Sequence, residues 1–305
     1  MTMTRRTLLG VALASLVAGC TSPVTPAPAN RPADPNRTQI PPMRPPAGPA
    51  QTRLTGETAT SLTRFAHLPA VELRVNGAGP YRFVIDTGSA APLRVSESLA
   101  SRLPQIGVVQ EPSPSGPRSV PVVRVDAVGI ADAEFAGVDA TVGVQLGEIR
   151  PDGIIGIGLF QELTATLDYP GNTLHLASNR PVADGPHVVA FTRPFGVPRI
   201  SVRAADVTLD ADIDTGGPAL LTVPSAVRLP LRSTPSRIGT GRGAMGEFEI
   251  LAAELDGDLS IAGWTRSAPM VHIADGLPGA SIGAAFLTDY AIAFDVPGSR
   301  VAFLA

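Results

Sequence analysis

The sequence predicts an all-β fold in two similar lobes, with only short helices. Glycine and proline each occur 31 times in the 305 residues, which favours turn-rich β structure over long helices. Apolar and polar residues alternate in several short segments, which is the pattern of half-buried strands. Two blocks of motifs also recur in the same order. Hydrophobic residues make up 44% of the chain and charged residues 17%, so a packed core is expected.

The first residues have the pattern of a bacterial export signal. Arg5-Arg6 precedes an apolar segment, residues 8–18, that is too short to cross a bilayer of roughly 30 Å as a helix. The pentapeptide Leu16-Val17-Ala18-Gly19-Cys20 resembles a lipobox, which predicts a signal peptide over 1–19 and lipidation of Cys20. Export by the Sec route or by the twin-arginine route fits this segment. We therefore expect a protein of the bacterial cell envelope that faces the periplasm and contacts the membrane only through a lipid anchor.

A proline-rich segment follows the predicted signal. Residues 20–58 are expected to form an extended linker, because ten prolines fall between positions 21 and 50 without apolar periodicity. Cys20 is the only cysteine, so the folded part is expected to contain no disulfide. The net charge of −3 and the lack of a strongly basic face argue against nucleic acid as a partner.

The tripeptide Asp-Thr-Gly occurs twice in matching surroundings. Asp86-Thr87-Gly88-Ser89 follows an apolar, strand-like segment, and Asp214-Thr215-Gly216-Gly217 follows a similar segment. An apolar-apolar-Gly element ends at Gly156, 70 positions after the first aspartate, and a weaker copy ends at Gly283, 69 positions after the second. Because order and spacing agree over both blocks, we predict an internal duplication.

The repeat defines lobe one over 59–180 and lobe two over 187–305. Asn76-Gly77 is expected to form the turn of a hairpin, and Ser96 to cap a short helix over 96–103. The predicted strands of lobe one are 71–75, 81–85, 120–128, 135–144, 163–167 and 173–176, and those of lobe two include 247–252 and 271–273.

These motifs resemble the signatures of aspartic proteases of the pepsin and retropepsin group, over about 59–305. Each Asp-Thr-Gly matches the active-site loop of that group, and the elements ending at Gly156 and Gly283 match the strand that threads behind each loop. The resemblance implies a bilobal pepsin-like β-barrel fold in a single-chain duplicated form, closest to bacterial retropepsin-like proteins. It also implies catalytic residues Asp86 and Asp214, no metal or other cofactor, and a monomer.

The chemistry explains why two aspartates are needed. Peptide hydrolysis requires a base that activates water and an acid that protonates the carbonyl oxygen or the leaving amine. Two carboxylates about 3 Å apart cannot both ionise, so they share a proton. The resemblance implies that Thr87 and Thr215 brace the loops through hydroxyl bonds to the opposite lobe, and that Ser89 hydrogen-bonds Asp86. The predicted supporting residues are Thr87, Gly88, Ser89, Thr215, Gly216 and Gly217.

Two functions agree with this pattern. The first is an aspartic endopeptidase that hydrolyses a polypeptide substrate with a water activated between Asp86 and Asp214. The alternative is a catalytically inactive, peptide-binding lipoprotein with the same fold.

Three features depart from the family pattern. Gly217 stands where the second loop usually has Ser or Thr, so Asp214 lacks a hydroxyl partner. Asp212 occupies a strand position where lobe one has the apolar Val84, which requires either more solvent or an ionic partner. The segment predicted as the flap, residues 111–120, contains no aromatic residue.

Other motifs are predicted to be structural. The glycine-rich segment 241–246 fits a dinucleotide-binding pattern, but no clear strand precedes it, so a flap or hairpin in lobe two is expected. Asp168 and Asp295 match each other and lie in Pro-Gly turns, where aspartate favours the turn itself. The four histidines show no metal-binding spacing.

Overall fold

The structure, a computed structural model, describes residues 46–305 except 112–116, 145, 147–148, 244–245, 276 and 278. Strands account for 56% of the residues and helices for 6%, so the all-β prediction is confirmed. The predicted signal peptide, Cys20 and linker residues up to 45 lie outside the described residues. Within the described part of the chain, no helix is long and apolar enough to cross a membrane.

The described elements begin with twelve strands and one helix. The strands are β1 Gln51–Arg53, β2 Glu57–Ser61, β3 Thr63–Phe65, β4 Leu68–Val75, β5 Ala78–Ile85, β6 Leu93–Val95, β7 Gln105–Glu111, β8 Arg118–Ile130, β9 Ala133–Val142, β10 Gly153–Ile155, β11 Thr164–Asp168 and β12 Thr173–Ala177. Helix α1 spans Glu97–Ala100, and a 3₁₀ turn spans Ile157–Phe160.

The second set of described elements is of similar size. The strands are β13 Val188–Ala190, β14 Arg199–Ala204, β15 Val207–Ile213, β16 Leu221–Pro224, β17 Ser236–Gly243, β18 Gly246–Glu254, β19 Asp258–Ile261, β20 Trp264–Ser267, β21 Met270–Ala274, β22 Ala280–Ile282, β23 Ala291–Asp295 and β24 Arg300–Leu304. A 3₁₀ turn spans Pro194–Gly196, and helix α2 spans Ala284–Leu287.

Lobe one is a closed sheet. Strands β9, β6, β10, β5, β4 and β8 pair in that order, and β8 pairs with β9 to complete the ring. Strands β1, β3 and β7 extend it at β9, β4 and β8. The fully buried side chains of Phe83, Phe135 and Ile155 belong to the core of this barrel. The segments 83–85 and 154–155 are apolar because they form strands whose side chains are buried in the barrel.

Lobe two repeats this pairing around its own Asp-Thr-Gly. Strand β10 runs parallel to β5 and antiparallel to β6, and β22 runs in the same way between β15 and β16. Strand β6 is parallel to β9, as β16 is to β21. The short strand that carries the apolar-apolar-Gly element therefore lies beside the aspartate-bearing strand in both lobes.

A third sheet joins the two lobes. Its order is β13-β24-β23-β11-β12-β2, and β11 of lobe one pairs antiparallel with β23 of lobe two. Leu167 lies opposite Ile292 in this pairing, and both side chains are fully buried. One hydrophobic cluster includes residues of both lobes. The positions of the two lobes are therefore set by shared backbone hydrogen bonds as well as by side-chain packing.

The predicted end of the linker requires correction. We expected an extended linker up to residue 58, but β1 pairs with β9 and β2 pairs with β12. Thr58 is buried, and its hydroxyl donates to Asp132. Strand β2 contains only one apolar residue, Ala59, so apolar periodicity could not reveal it.

Several local predictions are confirmed. Asn76 and Gly77 both have positive φ angles, 50° and 78°, and connect β4 to β5 in a tight hairpin. The Ser96 hydroxyl accepts a hydrogen bond from the Leu99 amide at 3.2 Å and caps α1, which is shorter than the predicted 96–103. Asp168 and Asp295 accept bonds from the amides of Gly171 and Gly298 at 2.7 and 2.9 Å, which fixes their turns.

Candidate active site

Asp86 and Asp214 directly follow β5 and β15. The amide of Asp86 donates to the carbonyl of Ile155 at 2.9 Å, and the amide of Asp214 donates to the carbonyl of Ile282 at 2.9 Å. Each aspartate is thus held by the strand that runs parallel to its own. The chain then turns back through the Asp-Thr-Gly loop, closed by a bond from the fourth residue's amide to the aspartate carbonyl.

Gly156 and Gly283 pack against the backs of these loops. A Cβ atom on Gly156 would overlap the carbonyl oxygens of Ala91 and Ser89. A Cβ atom on Gly283 would overlap the carbonyl oxygen of Gly217. Both positions therefore require glycine, because the backbones approach too closely for any side chain.

The two loops are joined by a symmetric set of threonine hydrogen bonds. The Thr87 hydroxyl donates to the Ile213 carbonyl at 2.5 Å and accepts from the Thr215 amide at 3.1 Å. The Thr215 hydroxyl donates to the Ile85 carbonyl at 2.7 Å and accepts from the Thr87 amide at 3.0 Å. Both threonines are fully buried. The hydroxyl bonds to the opposite lobe that the sequence led us to expect are present in this geometry.

Two glycines bring the carboxyl groups together. A Cβ atom on Gly88 would lie 2.5 Å from an oxygen of Asp214, and one on Gly216 would lie 2.7 Å from an oxygen of Asp86. Each loop therefore lies against the other lobe's aspartate. The two carboxyl groups are close enough that each one shifts the pKa of the other.

Backbone amides replace the expected hydroxyl partners. The Gly88 amide donates to Asp86 at 3.0 Å, and the Gly216 amide donates to Asp214 at 2.9 Å. The Ser89 hydroxyl donates instead to the Ala91 carbonyl at 3.3 Å, so the predicted bond from Ser89 to Asp86 is wrong. At Gly217, which has no hydroxyl, the backbone amide favours the ionised form of Asp214.

Burial raises the pKa of both aspartates. For Asp86, burial is the largest cause, followed by the negative charge of Asp214 and the hydrogen bond to it. For Asp214, burial also raises the pKa, but the bond from Asp86 and the amides of Gly216 and Gly217 oppose the rise. The two carboxyl groups therefore share one proton, and their apparent pKa values belong to the pair.

The ionic partner of Asp212 is Arg199. The guanidinium of Arg199, on β14, donates to both carboxylate oxygens of Asp212 at 2.7 and 3.1 Å. The two residues lie opposite each other in the β14–β15 pairing. Of the two explanations left open by the sequence, an ionic partner for Asp212 is therefore correct. Sequence spacing alone could not identify it, since the pairing depends on strand register.

A hairpin from each lobe accompanies the two loops. Strands β7 and β8 form the hairpin predicted as the flap, and the tip residues 112–116 lie outside the described residues. Strands β17 and β18 form the hairpin expected around the glycine-rich segment 241–246.

Arg94 and His67 are neighbours of the site that sequence reasoning missed. Arg94, on β6, donates to both carboxylate oxygens of Glu111 at the end of β7, which links the flap hairpin to the barrel beside Asp86. The His67 ring forms a hydrogen bond with the Gly216 carbonyl at 2.9 Å. No sequence motif marks either residue.

The arrangement provides an acid and a base side by side. Among the described residues, no group of three or more His, Cys, Asp or Glu could hold a metal ion. Both aspartates keep partial contact with solvent, so a water molecule can reach them. A protonated carboxyl beside a carboxylate can activate that water and donate a proton to a polarised oxygen.

Comparisons with known proteins agree with this chemistry for lobe one. A protein-family model described as "Aspartyl protease" matches residues 71–159, which include the first Asp-Thr-Gly and Gly156. This match supports an aspartic protease relationship for the chain. A comparison with curated protein sequences found no match.

A solved structure is also similar to part of the chain. It is a retropepsin-like aspartic protease from Rickettsia conorii, with 17% identity over 42% of this chain and 94% of that one, and a TM-score of 0.29. A likeness at this TM-score supports no conclusion about this protein.

The threonine bonds predict a large and coupled loss of stability. Thr87→Val or Thr215→Val leaves a buried carbonyl and a buried amide without partners, at about 1–3 kcal/mol for each group. Because both residues belong to one hydrogen-bond network, the free energy of unfolding should fall less in the double variant than the sum of the two single decreases. Urea unfolding measures these losses. Thr141→Val is the matched control, since the buried Thr141 hydroxyl has no hydrogen-bond partner among the described residues; equal losses at all three positions would contradict the role of the network.

The raised pKa of Asp86 predicts a pH-dependent stability difference. The folded chain keeps a proton on Asp86 above 3.8, the ordinary carboxyl pKa, whereas the unfolded chain releases it there. Wild-type stability therefore falls as the pH rises from 3.8 toward the raised folded pKa. The Asp86→Asn side chain has the same shape but carries no charge. The variant should therefore melt several degrees higher than wild type at pH 7, because each kcal/mol of added stability raises the melting temperature by about 2–4 °C.

Melting curves from about pH 3 to pH 8 would test this difference, which should vanish at the acidic end. Asp168→Asn, in the turn between β11 and β12, controls for the removal of an acidic residue elsewhere. If the melting temperatures of wild type and Asp86→Asn differ by the same amount at every pH, the pKa of Asp86 is not raised in the folded protein.

Proposed function

We propose that the protein is an aspartic endopeptidase that hydrolyses polypeptides with a water molecule activated between Asp86 and Asp214. The observation that carries this proposal is the pair of carboxyl groups, one from each lobe, that the Gly88 and Gly216 loops bring together and whose pKa values burial raises. The family match over residues 71–159 supports the same reaction class.

The two aspartates have different roles in the first step of the proposed mechanism. Asp214, the carboxylate, accepts a proton from the water as it attacks the peptide carbonyl carbon. Asp86 donates its proton to the carbonyl oxygen, which gives a neutral tetrahedral intermediate. The proton taken up by Asp214 then passes to the leaving amine while a hydroxyl of the intermediate returns a proton to Asp86, so the carbonyl re-forms, the peptide bond breaks and the pair regains its starting protonation. No covalent bond to the protein forms.

The backbone supports this division of roles. Asp214 is favoured as the anion by the amides of Gly216 and Gly217, whereas Asp86 receives the Gly88 amide and lies next to the charge of Asp214. Gly217 therefore supplies by its backbone part of what a Ser or Thr hydroxyl supplies in the related loops. This contact favours an active second loop in spite of the substitution.

We also propose that the two lobes arose by duplication and that the protein acts as a monomer. The equivalent strand pairings around both Asp-Thr-Gly loops support the duplication. Because one chain supplies both aspartates, no second copy is needed to complete the site.

The proposed cellular location follows from the N-terminal sequence. Cleavage before Cys20 and lipidation of its sulfur would anchor the protein to a bacterial membrane, with the peptidase in the periplasm. The substrate is then a polypeptide of the cell envelope compartment.

The main alternative is a peptide-binding protein without catalysis, which the absence of a hydroxyl at Gly217 favours. Asp86→Asn separates the two functions, in a protein lacking residues 1–20. If the peptidase proposal is right, cleavage of a denatured protein or a peptide library should fall by roughly 10²–10⁴, the loss expected for a general acid. Asp168→Asn should cleave like wild type, because Asp168 only fixes a turn.

Two results would refute the peptidase proposal. One is a wild-type protein that cleaves nothing between acidic and neutral pH, although it is folded. The other is an Asp86→Asn variant that cleaves at the wild-type rate.

The membrane anchor can be tested separately. Cys20→Ala should prevent lipidation, because the sulfur that would carry the lipid is absent. The variant should then appear in the soluble fraction of the cell envelope instead of the membrane fraction, as measured by fractionation and immunoblotting. A wild-type protein recovered only in the soluble fraction would contradict the anchor.

A further inference from the structure

Two rows of side chains flank the aspartate pair, one in each lobe. Strand register aligns neighbouring residues across β5, β10, β6 and β9 in a row that we name wall one: Val84, Ile154, Arg94 and Thr141. The equivalent register across β15, β22, β16 and β21 gives wall two: Asp212, Ser281, Thr222 and His272. The internal repeat thus provides a position-by-position comparison.

Both walls lie on the side of the sheets that faces away from the barrel cores. Their neighbours along the strands, such as Ile85, Ile155 and Ile213, belong to the main hydrophobic cluster, and successive strand residues face opposite sides. Each wall also lies close to a carboxyl group. Although burial dominates both pKa shifts, the charge of Arg94 acts on Asp86 and the charge of Asp212 acts on Asp214. A polypeptide held at the two aspartates therefore passes both walls.

Wall one is buried except at Arg94, and two of its four residues, Val84 and Ile154, are apolar. Val84, Ile154 and Thr141 are buried. Val84 packs with Leu68 and Ala70, and Leu146 and Ile149 from the loop before β10 cover this small cluster. A substrate beside wall one would contact the partly buried apolar side chains of Leu146 and Ile149 and the ion pair between Arg94 and Glu111.

Wall two is polar at every position and partly exposed. The hydroxyls of Ser281 and Thr222 and the ring of His272 form no hydrogen bond with another described residue. The charge of Asp212 is balanced by the bidentate ion pair that it forms with Arg199. Burial lowers the pKa of His272, so its ring is neutral at neutral pH, with one donor and one acceptor nitrogen. Wall two thus presents hydrogen-bonding groups without net charge.

We propose that wall two is a specificity subsite for an uncharged, hydrogen-bonding side chain of the substrate, such as that of Asn, Gln, Ser or Thr. This inference rests on the proposed peptidase function and specifies its substrate class. A side chain with donors and acceptors satisfies Ser281, Thr222 and His272 when it displaces water from them. An apolar side chain displaces the same water but leaves these groups without hydrogen bonds. This cost separates polar from apolar side chains more strongly than a difference in apolar contact does. The cleft therefore accepts a polar residue on one side of the scissile bond and an apolar residue on the other.

The test uses binding as well as cleavage, so that the two proposals can fail separately. Full-length Asp86→Asn protein, which should not cleave, is titrated with peptide pairs that differ only by Asn or Leu at each position in turn. At one position, Asn peptides should bind at least about tenfold more tightly than Leu peptides. A degenerate peptide library cleaved by the wild type should show the same polar preference on one side of the cleaved bond.

The repeat supplies the variants for this test. Ser281→Ile copies the residue that lobe one has at Ile154, and Thr222→Val removes the neighbouring hydroxyl. Together they should abolish or reverse the Asn preference in both assays, since the wall then offers an apolar surface. Thr265→Ile, an exposed residue on β20 at the far edge of the lobe-two sheet, makes the same chemical change outside the site and should leave the preference intact.

The outcomes separate the two proposals. An Asn preference in binding without any cleavage by the wild type would refute the peptidase and support the polar subsite. The subsite proposal would be overturned, and the peptidase proposal kept, if the protein cleaves with an apolar preference on both sides of the bond. The same holds if Ser281→Ile and Thr222→Val leave the residue preference unchanged. A failure of every peptide to bind would also overturn the subsite.

Discussion

The structure depends on holding two carboxyl groups in contact where water is scarce. Two negative charges at such a distance cannot coexist, so the pair keeps a proton and costs folding free energy at neutral pH. The loops do not drift apart because buried threonine hydroxyls join each loop to the opposite lobe at 2.5 and 2.7 Å. Behind them, Gly156 and Gly283 let a parallel strand fit against each loop. The unfavourable pairing of the two carboxyl groups is therefore maintained by hydrogen bonds between the loops and by close backbone packing behind them.

The two lobes share this backbone but differ in the side chains on the outward faces of the strands beside the aspartates. Positions that hold the loops, namely the threonines and the glycines behind them, are the same in both lobes, because each is set by close backbone contact. Positions on the outward faces have no such constraint and differ between the lobes, with Val84 in one lobe and Asp212 in the other. A single chain permits this difference, whereas two identical subunits would present the same face twice.

Much of the fold could be predicted because its signals are local. Asn76-Gly77 forms the predicted hairpin since both residues tolerate positive φ, and Ser96 caps a helix because its hydroxyl reaches an amide three residues on. Three features could not be predicted, because they depend on contacts distant in sequence. Strand β2 has no apolar pattern and is held by pairing with β12, while the Arg199 partner of Asp212 follows from strand register. The Ser89 hydroxyl turned out to bond Ala91, since the loop geometry directs it away from Asp86.

The sequence by itself determined that two Asp-Thr-Gly loops exist, that each follows a strand, and that a glycine-containing strand accompanies each. These are properties of short motifs, of their spacing and of the residue types that tight turns tolerate. Only the tertiary structure decided that both carboxyl groups have raised pKa values, because this depends on burial and on contacts between segments distant in sequence. It also decided that the lobe-two wall is polar and accessible while the lobe-one wall is buried except at Arg94. Exposure and hydrogen bonding arise from packing between distant segments, which the order of residues does not specify.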